Sequence, residues 1–320
     1  MGMSNVSSAK YNVLKDISVG GLSVASGGSL YAASKSFTVS GTSAFGDGAS
    51  FGAFSDVVFG GAVTLSNSSV SVYKKPEGGN DPFERDYGSL LFAAGANGSG
   101  SIENEISGSL TTFRNDAASS SFAGSVKANK IAVEGGRTQT IDGNISHADG
   151  VGIVIRDGSA LVTSSTVKID SLSNEGADAV FGNNAGGRNF QDVNIGELRV
   201  DSGTRFTFLT DLGSDSLQSD RLLADVLCFE AEMIVFRFSG GMEGEYEIGR
   251  FGGMDGYDFS EDPNTLFSYE SDGNLEGSFG WNGQTLMFSV TAIPESAESA
   301  LVCGLLGLAF AAFGARKIRA

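Results

Sequence analysis

Short stretches in which apolar and small polar residues alternate occur along most of the chain. The clearest pairs of apolar residues are Ile17/Val19, Leu22/Val24, Phe37/Val39, Val63/Leu65 and Val70/Val72. Glycine, serine or aspartate separates one stretch from the next. Because successive side chains of a strand point to opposite faces, this alternation predicts short β-strands with one face turned inward.

The alternating pairs recur every 20 residues near the start of the chain. The recurring positions are Ile17/Val19, Phe37/Val39 and Val57/Phe59, with Leu30, Phe51 and Val70 as a parallel series. A coil of about 20 residues cannot bury its own apolar side chains, so consecutive coils must stack on one another. The pattern therefore predicts an all-β fold, a right-handed parallel β-helix. A β-sandwich of many short strands is the alternative.

The pattern divides the chain into three regions. Residues 1–215 are predicted to form the β-solenoid, residues 216–292 a β-rich cap, and residues 293–320 a terminal tail. The segment 74–82 interrupts the repeat and is expected to leave one coil as a loop. The step from Ile169 to Ile195 is 26 residues, which indicates coils of unequal length.

The predicted cap has a denser apolar sequence than the solenoid. We expect antiparallel hairpins there, because a stacked array must hide its last open edge from strand addition. Residues 222–227 fit a helix or a strand equally well.

The tail combines a proline–acid pair, an uncharged apolar run from Ala300 to Ala315, and a basic end. Its apolar residues include Ala300, Leu301, Leu305, Leu306, Leu308, Phe310 and Phe313, and its basic residues are Arg316, Lys317 and Arg319. As a helix the run reaches about 24 Å, and snorkelling basic side chains extend it towards the ~30 Å of a bilayer core. The tail thus predicts one short transmembrane helix with its basic end in the cytoplasm. A buried C-terminal helix of an ordinary domain is the alternative.

The order of Pro294-Glu295, a Gly/Leu/Ala/Phe-rich run and an Arg/Lys end resembles the PEP-CTERM sorting signal. Ser296 stands where that family usually has a second proline. The resemblance covers residues 293–320 and implies an exosortase-type membrane enzyme as partner. It makes Pro294 and Glu295 the sorting motif, the apolar run a transient span, and the basic residues retention charges. The tyrosine strand at 244–249 and the Trp281 turn resemble the end of autotransporter-like solenoid proteins.

Composition and charge narrow the possible functions. The net charge is −17, which argues against nucleic acid as a partner because such binding needs a basic surface. The 46 glycines, four prolines and a hydrophobic fraction of 41% fit a turn-rich β-fold with a continuous core. Cys303 lies in the predicted span and Cys228 is alone in the body, so we expect no disulfide within the body.

Candidate chemistry is sparse. His147 is the single histidine and is predicted to be a solvated turn residue, which disfavours a catalytic triad or a zinc site. Carboxylates near Asp255, Asp258 and Asp262, and in the segment 80–86, could bind calcium, but solvated acidic turns are the preferred interpretation. We expect no metal or cofactor.

The sequence therefore predicts a non-enzymatic structural or adhesive protein. It would be exported, pass the inner membrane and reach the cell surface or extracellular matrix, possible partners being matrix polysaccharides. Residues 1–8 lack a secretory leader pattern, so a longer polypeptide is expected upstream. The alternatives are a polysaccharide-active β-helix enzyme, either lyase or glycoside hydrolase, and a surface protein that simply keeps its membrane anchor.

Overall fold

The computed structural model describes residues 4–12, 16–34, 36–73, 88–104, 106–164, 168–183, 190–229, 234–271 and 275–292. Within these ranges the chain consists mainly of β-strands, with one 3₁₀ helix, Pro263–Thr265. The strands form two long sheets. The all-β class predicted from the sequence is confirmed.

The first sheet contains 14 of the described strands. They are β1 (Ser4–Asn12), β3 (Leu22–Ala33), β5 (Ser43–Phe45), β6 (Ser50–Ala53), β8 (Val63–Val72), β10 (Ala96–Asn104), β12 (Ser120–Ala128), β14 (Thr138–Ile141), β15 (Ile145–Ser146), β17 (Ala160–Thr163), β19 (Ala179–Asn183), β21 (Phe206–Leu212), β23 (Ile234–Gly240) and β26 (Phe267–Ser271).

The second sheet also contains 14 of the described strands. They are β2 (Asp16–Val19), β4 (Ser36–Val39), β7 (Asp56–Phe59), β9 (Leu90–Phe92), β11 (Leu110–Arg114), β13 (Lys130–Glu134), β16 (Gly152–Arg156), β18 (Ile169–Glu175), β20 (Asp192–Val200), β22 (Arg221–Phe229), β24 (Gly244–Phe251), β25 (Met254–Asp255), β27 (Glu276–Asn282) and β28 (Thr285–Ala292).

Before the C-terminal hairpin the chain passes back and forth between the two sheets, and strands of one coil pair in parallel with the equivalent strands of the next coil. Ile17 is opposite Phe37, and Phe37 is opposite Val57, which confirms the 20-residue repeat. The longer step is confirmed as well, because Ile169 is opposite Ile195. Two stacked parallel sheets of this kind are consistent with a parallel β-solenoid and differ from the antiparallel sheets of a β-sandwich.

Glycine permits the closest approach between neighbouring coils in the first sheet. A Cβ on Gly98 would lie 1.9 Å from the carbonyl oxygen of Leu65, and one on Gly100 would lie 1.9 Å from that of Ser68. Both glycines have positive φ, 99° and 130° respectively, which side-chain-bearing residues rarely adopt. The register between β8 and β10 shifts at this point, so the glycines allow the bend of the coil.

The core lies between the two sheets and runs along the stack. Phe59, Phe92 and Phe113 occupy successive positions of one register row and are fully buried. Their ring centroids are 5.5 Å and 5.3 Å apart, with interplanar angles of 15° and 5°. Each coil therefore packs its apolar side chains mainly on equivalent side chains of its neighbours, as a solenoid requires.

An antiparallel hairpin ends the second sheet. β28 pairs antiparallel with both β24 and β27, which confirms the predicted C-terminal hairpin. The expectation of antiparallel pairing from residue 221 onwards is wrong for β22, β23 and β26, because these strands pair in parallel with their predecessors. Residues 222–227, for which helix and strand were both open, belong to strand β22.

The buried tyrosine Tyr246 connects the hairpin region to the last coils. Its hydroxyl donates to the carbonyl oxygen of Gly213 at 2.8 Å and accepts from the amide of Met242 at 2.7 Å. Burial raises the pKa of Tyr246 above its ordinary value. Its aromatic ring thus fills the core while its polar end satisfies two backbone groups.

Candidate functional site

The residues predicted to sort and anchor the protein lie outside the described residues. They are Pro294, Glu295, Ala300, Leu301, Leu305, Leu306, Leu308, Phe310, Phe313, Arg316, Lys317 and Arg319. In the part of the chain that the structure does describe, no helix has the length and apolarity needed to cross a bilayer. The carboxylates predicted in segment 80–86 also lie outside the described residues.

A groove of about 260 Å³ lies on the outer face of the second sheet, close to the hairpin. Its lining residues come from successive coils and from the β27–β28 turn. They are Lys168, Asn194, Ile195, Leu223, Ala224, Asp225, Arg250, Gly252 and Gln284. The register explains this convergence, since Ile195 is opposite Ala224 and Ala224 is opposite Phe251. Residues that immediately precede or follow these buried positions therefore stand side by side on the outer face.

Backbone contacts fix one wall of the groove. The side-chain amide of Gln284 donates to the carbonyl oxygen of Gly252 at 3.1 Å, and the amide of Gly252 donates to Ala224 at 2.9 Å. A Cβ on Gly252 would lie 2.6 Å from the carbonyl oxygen of Asp225. Only glycine allows this close approach, which leaves the space beside Asp225 open.

Opposite charges line the groove. The ammonium of Lys168 lies 2.5 Å from Oδ2 of Asp225, and this hydrogen bond raises the pKa of Lys168. Arg250 is 63% exposed at its side chain and lies 3.9 Å from Glu247, so most of its donors face solvent. With the amides of Asn194 and Gln284, the groove offers donors and acceptors for a hydroxyl-rich ligand.

The groove does not present a pair of carboxylates. Of the described residues that line it, Asp225 alone carries a carboxylate. Glycoside hydrolysis uses two carboxyl groups about 5–10 Å apart, one as acid and one as base or nucleophile. The lining residues therefore match ligand binding more closely than they match glycoside hydrolysis.

Ion pairs connect consecutive coils on the same sheet. Glu134 lies 2.6 Å from Arg114 and 3.8 Å from Arg156, and Arg156 lies 2.7 Å from Glu175. The side chain of Glu134 is 11% exposed, so this charge is largely removed from water. The four residues form a ladder, here called the Glu134 ladder, that joins β11, β13, β16 and β18. Because charges alternate along it, each inner member is attracted by both neighbours.

A second ladder reinforces the last coils. Arg221 lies 2.7 Å from Asp192 and 3.2 Å from Glu247, which joins β20, β22 and β24. The paired arginine donates through two nitrogens to the two oxygens of Asp192. Such bidentate pairs are stronger and more directional than single contacts, so they favour a stiff stack.

His147 lies in a turn, as predicted, but its side chain is buried. The imidazole is 5% exposed and its Nδ1 accepts a hydrogen bond from the amide of Asp149 at 3.1 Å. The prediction of a solvated histidine is therefore wrong, because the ring folds back against its own turn. Its described partner is a backbone amide, which is typical of a turn-forming role.

The carboxylates of the loop after β25 accept hydrogen bonds within their own turns. Asp258 accepts from the hydroxyl and the backbone amide of Ser260, and Asp262 accepts from the side-chain Nδ2 of Asn264 at 2.8 Å and from its backbone amide at 3.0 Å. These bonds lower the pKa of both aspartates. Among the described residues there is no group of three or more His, Cys, Asp or Glu side chains that could hold a metal ion.

The sequence interpretation missed the groove because its members are far apart in the chain. The 26-residue step from Ile169 to Ile195 was recognised in the sequence and gives part of the register. Placing Ala224 opposite Ile195 also requires the length of the next coil, which was not recognised. Comparisons with protein-family models, with curated proteins and with solved structures gave no match.

Proposed function

We propose that this chain is an exported structural or adhesive protein of the cell surface or extracellular matrix. Its body would be a right-handed β-solenoid, the hand that parallel strand connections adopt almost without exception. Its tail would be read by an exosortase-type enzyme through Pro294 and Glu295, held in the membrane by the apolar run, and retained by Arg316, Lys317 and Arg319.

The observation that carries the proposal is the continuity of the stack. Parallel register connects successive coils from β2 to β22 on one sheet and from β1 to β26 on the other. A core of phenylalanine and aliphatic side chains runs along the stack, and the two ladders of ion pairs connect neighbouring coils on its outer face. This arrangement favours a stiff rod that presents long polar faces, and a net charge of −17 keeps such rods apart in solution.

The proposed mechanism is passive. The rod would display its outer faces and loops to matrix polysaccharide or to other cells, while the tail determines where the protein is delivered. Delivery and display would then depend on separate parts of the chain, so each can be tested without disturbing the other.

Delivery can be tested with fusions of residues 293–320 to a periplasmic reporter in a bacterium that contains an exosortase. We expect the fusion to be found in the membrane or envelope, and a fusion with P294A and E295A to be sorted less efficiently. A reporter that remains freely soluble at every stage would contradict the proposal. Mass spectrometry of the mature C-terminus then distinguishes a processed tail from a retained anchor.

A polysaccharide-active enzyme is the second candidate, and the groove at Asp225 is the observation that favours it. Lys168 and Arg250 could neutralise an acidic sugar there, as a lyase would need. The test is release of reducing or unsaturated ends from acidic polysaccharide by the purified chain. Activity abolished by D225N or R250A would support the enzyme, and no release from any acidic polysaccharide would favour the scaffold.

A further inference from the structure

Three aromatic side chains form a cluster on the outer face of the first sheet. Tyr31, Phe54 and Tyr73 come from three consecutive coils and are half-buried. The ring centroids of Tyr31 and Phe54 are 5.1 Å apart, those of Phe54 and Tyr73 6.0 Å, and those of Tyr31 and Tyr73 6.2 Å. We call these three residues the aromatic platform.

Gly52 lies beneath the aromatic platform and determines its geometry. It is opposite Tyr31 in the register between β3 and β6. A Cβ on Gly52 would lie 2.8 Å from the ring of Tyr73 and 3.0 Å from that of Tyr31. The two tyrosine rings can therefore approach each other over the sheet, at an interplanar angle of 22°, because this position has no side chain.

The described stretches that supply the aromatic platform carry hydroxyl groups and no charge. The stretches 29–34, 50–55 and 69–73 contain no charged residue, whereas Asp56 follows the second directly and Lys74 and Lys75, which lie outside the described residues, follow the third. Serine hydroxyls follow the same coils. Ser50 donates to Ser29 at 2.9 Å, and Ser34 and Ser55 lie 3.3 Å apart. Such a patch differs from the charged ladders of the second sheet.

We propose that the aromatic platform is a binding site for a neutral polysaccharide of pyranose units. The apolar C–H face of a pyranose ring carries partial positive charge and is attracted to the negative face of an aromatic ring. The surrounding serine and tyrosine hydroxyls can exchange hydrogen bonds with the sugar hydroxyls. This inference rests on the proposed adhesive function, to which it adds a site and a ligand class.

Several features favour a neutral rather than an acidic sugar. The net charge of −17 favours repulsion of a polyanion by the protein. Burial and the neighbouring Tyr73 raise the pKa of Tyr31, so its hydroxyl stays protonated at neutral pH. Neighbouring strands are about 4.8 Å apart, so three coils span about 10 Å, comparable with two linked pyranose rings.

The test is affinity electrophoresis of the full chain in mild detergent, in native gels that contain hydroxyethyl cellulose, dextran or alginate. We expect a neutral glucan to retard the chain and alginate to leave it unaffected. Y31A and Y73A should each weaken binding about tenfold or more, whereas Y31F, which keeps the ring, should retain most of the affinity.

Two glycine variants distinguish a change in the geometry of the aromatic platform from a general loss of folded structure. G52A keeps every aromatic ring but displaces the two tyrosines, so we expect it to weaken binding. The matched control is G280A, because a Cβ on this strand glycine meets no atom within 4 Å. Circular dichroism of each variant shows whether it has kept its β-structure, and Y31F and G52A remain informative if a tyrosine-to-alanine variant unfolds.

Three results would overturn the inference. They are no retardation by either neutral glucan, retardation that Y31A, Y73A and G52A leave unchanged, and binding of alginate alone. A protein that reaches the envelope but fails these gels would retain the proposed function and lose this site. A protein that binds neutral glucan through the aromatic platform but is not sorted to the envelope would retain this site and lose the proposed delivery.

Discussion

Replacing Phe92 by alanine tests the stacked core most directly. Phe92 is fully buried between Phe59 and Phe113, with ring centroids 5.5 Å and 5.3 Å away. Truncation of a buried phenylalanine costs about 3–5 kcal/mol, and here it removes the ring that fills the space between two coils. We expect a cost in the upper half of that range, because the flanking rings lose their stacked partner on one side each.

Urea unfolding followed by circular dichroism near 218 nm measures this effect. A loss of about 4 kcal/mol corresponds to a fall in the midpoint of about 1 M or more. The control is L217A, because Leu217 is 51% exposed and its truncation should change the free energy of unfolding by about 0.5 kcal/mol or less.

Hydrogen exchange locates the effect along the rod. Each coil of a solenoid contacts only its neighbours, so F92A should speed exchange in β7, β9 and β11 before it affects the hairpin. A midpoint shift no larger than that of L217A, or exchange that rises equally throughout the chain, would refute the stacked arrangement of these rings.

Two further variants test the outer ladder and the hairpin junction. E134A leaves two arginines without their shared carboxylate, so we expect it to lower the free energy of unfolding by about 1–2 kcal/mol at low salt. The loss should be smaller in 1 M NaCl, because salt screens the ion pairs, and urea unfolding at both salt concentrations measures it. Equal losses at low and high salt would contradict the Glu134 ladder. Y246F leaves the carbonyl of Gly213 and the amide of Met242 without their side-chain partner and should cost about 1–3 kcal/mol near neutral pH. Because burial raises the pKa of Tyr246, the folded state favours the neutral phenol. The stabilisation that the neutral phenol contributes is complete below pH ~10 and is lost as the pH rises through the raised pKa. The urea midpoints of wild type and Y246F, measured from pH 8 to 11, should therefore converge at alkaline pH.

The sequence was sufficient to predict the all-β class and the stacking of equivalent strands because the first coils have equal length. Ile17, Phe37 and Val57 recur at one interval, and the structure places them opposite one another. Burial of one strand face forces apolar residues into alternate positions, so the repeat can be recognised from the order of residues alone. The repeat does not reveal the aromatic platform, because the register row of Tyr31 continues through Gly52 to Ser71, and Tyr73 lies two residues beyond that row.

Other features depend on contacts that alternation does not encode. The direction of β23 was not predictable, since parallel and antiparallel strands show the same period of two. The groove requires Lys168 and Asp225 to meet across two coils of unequal length, one of which was not recognised in the sequence. The burial of His147 depends on the shape of its own turn, which the residue types alone do not determine.

Consecutive coils stack in one direction along the fold, and distances between spin labels measure this stacking. Thr38, Val154 and Ser173 lie on one register row of the second sheet, with Val154 five and Ser173 six coils from Thr38. In a background without native cysteine, label pairs between residue 38 and residues 154 or 173 should give distances of about 24 Å and 29 Å, from a strand spacing of ~4.8 Å. A second distance equal to or shorter than the first, as in a chain that folds back on itself, would contradict the solenoid.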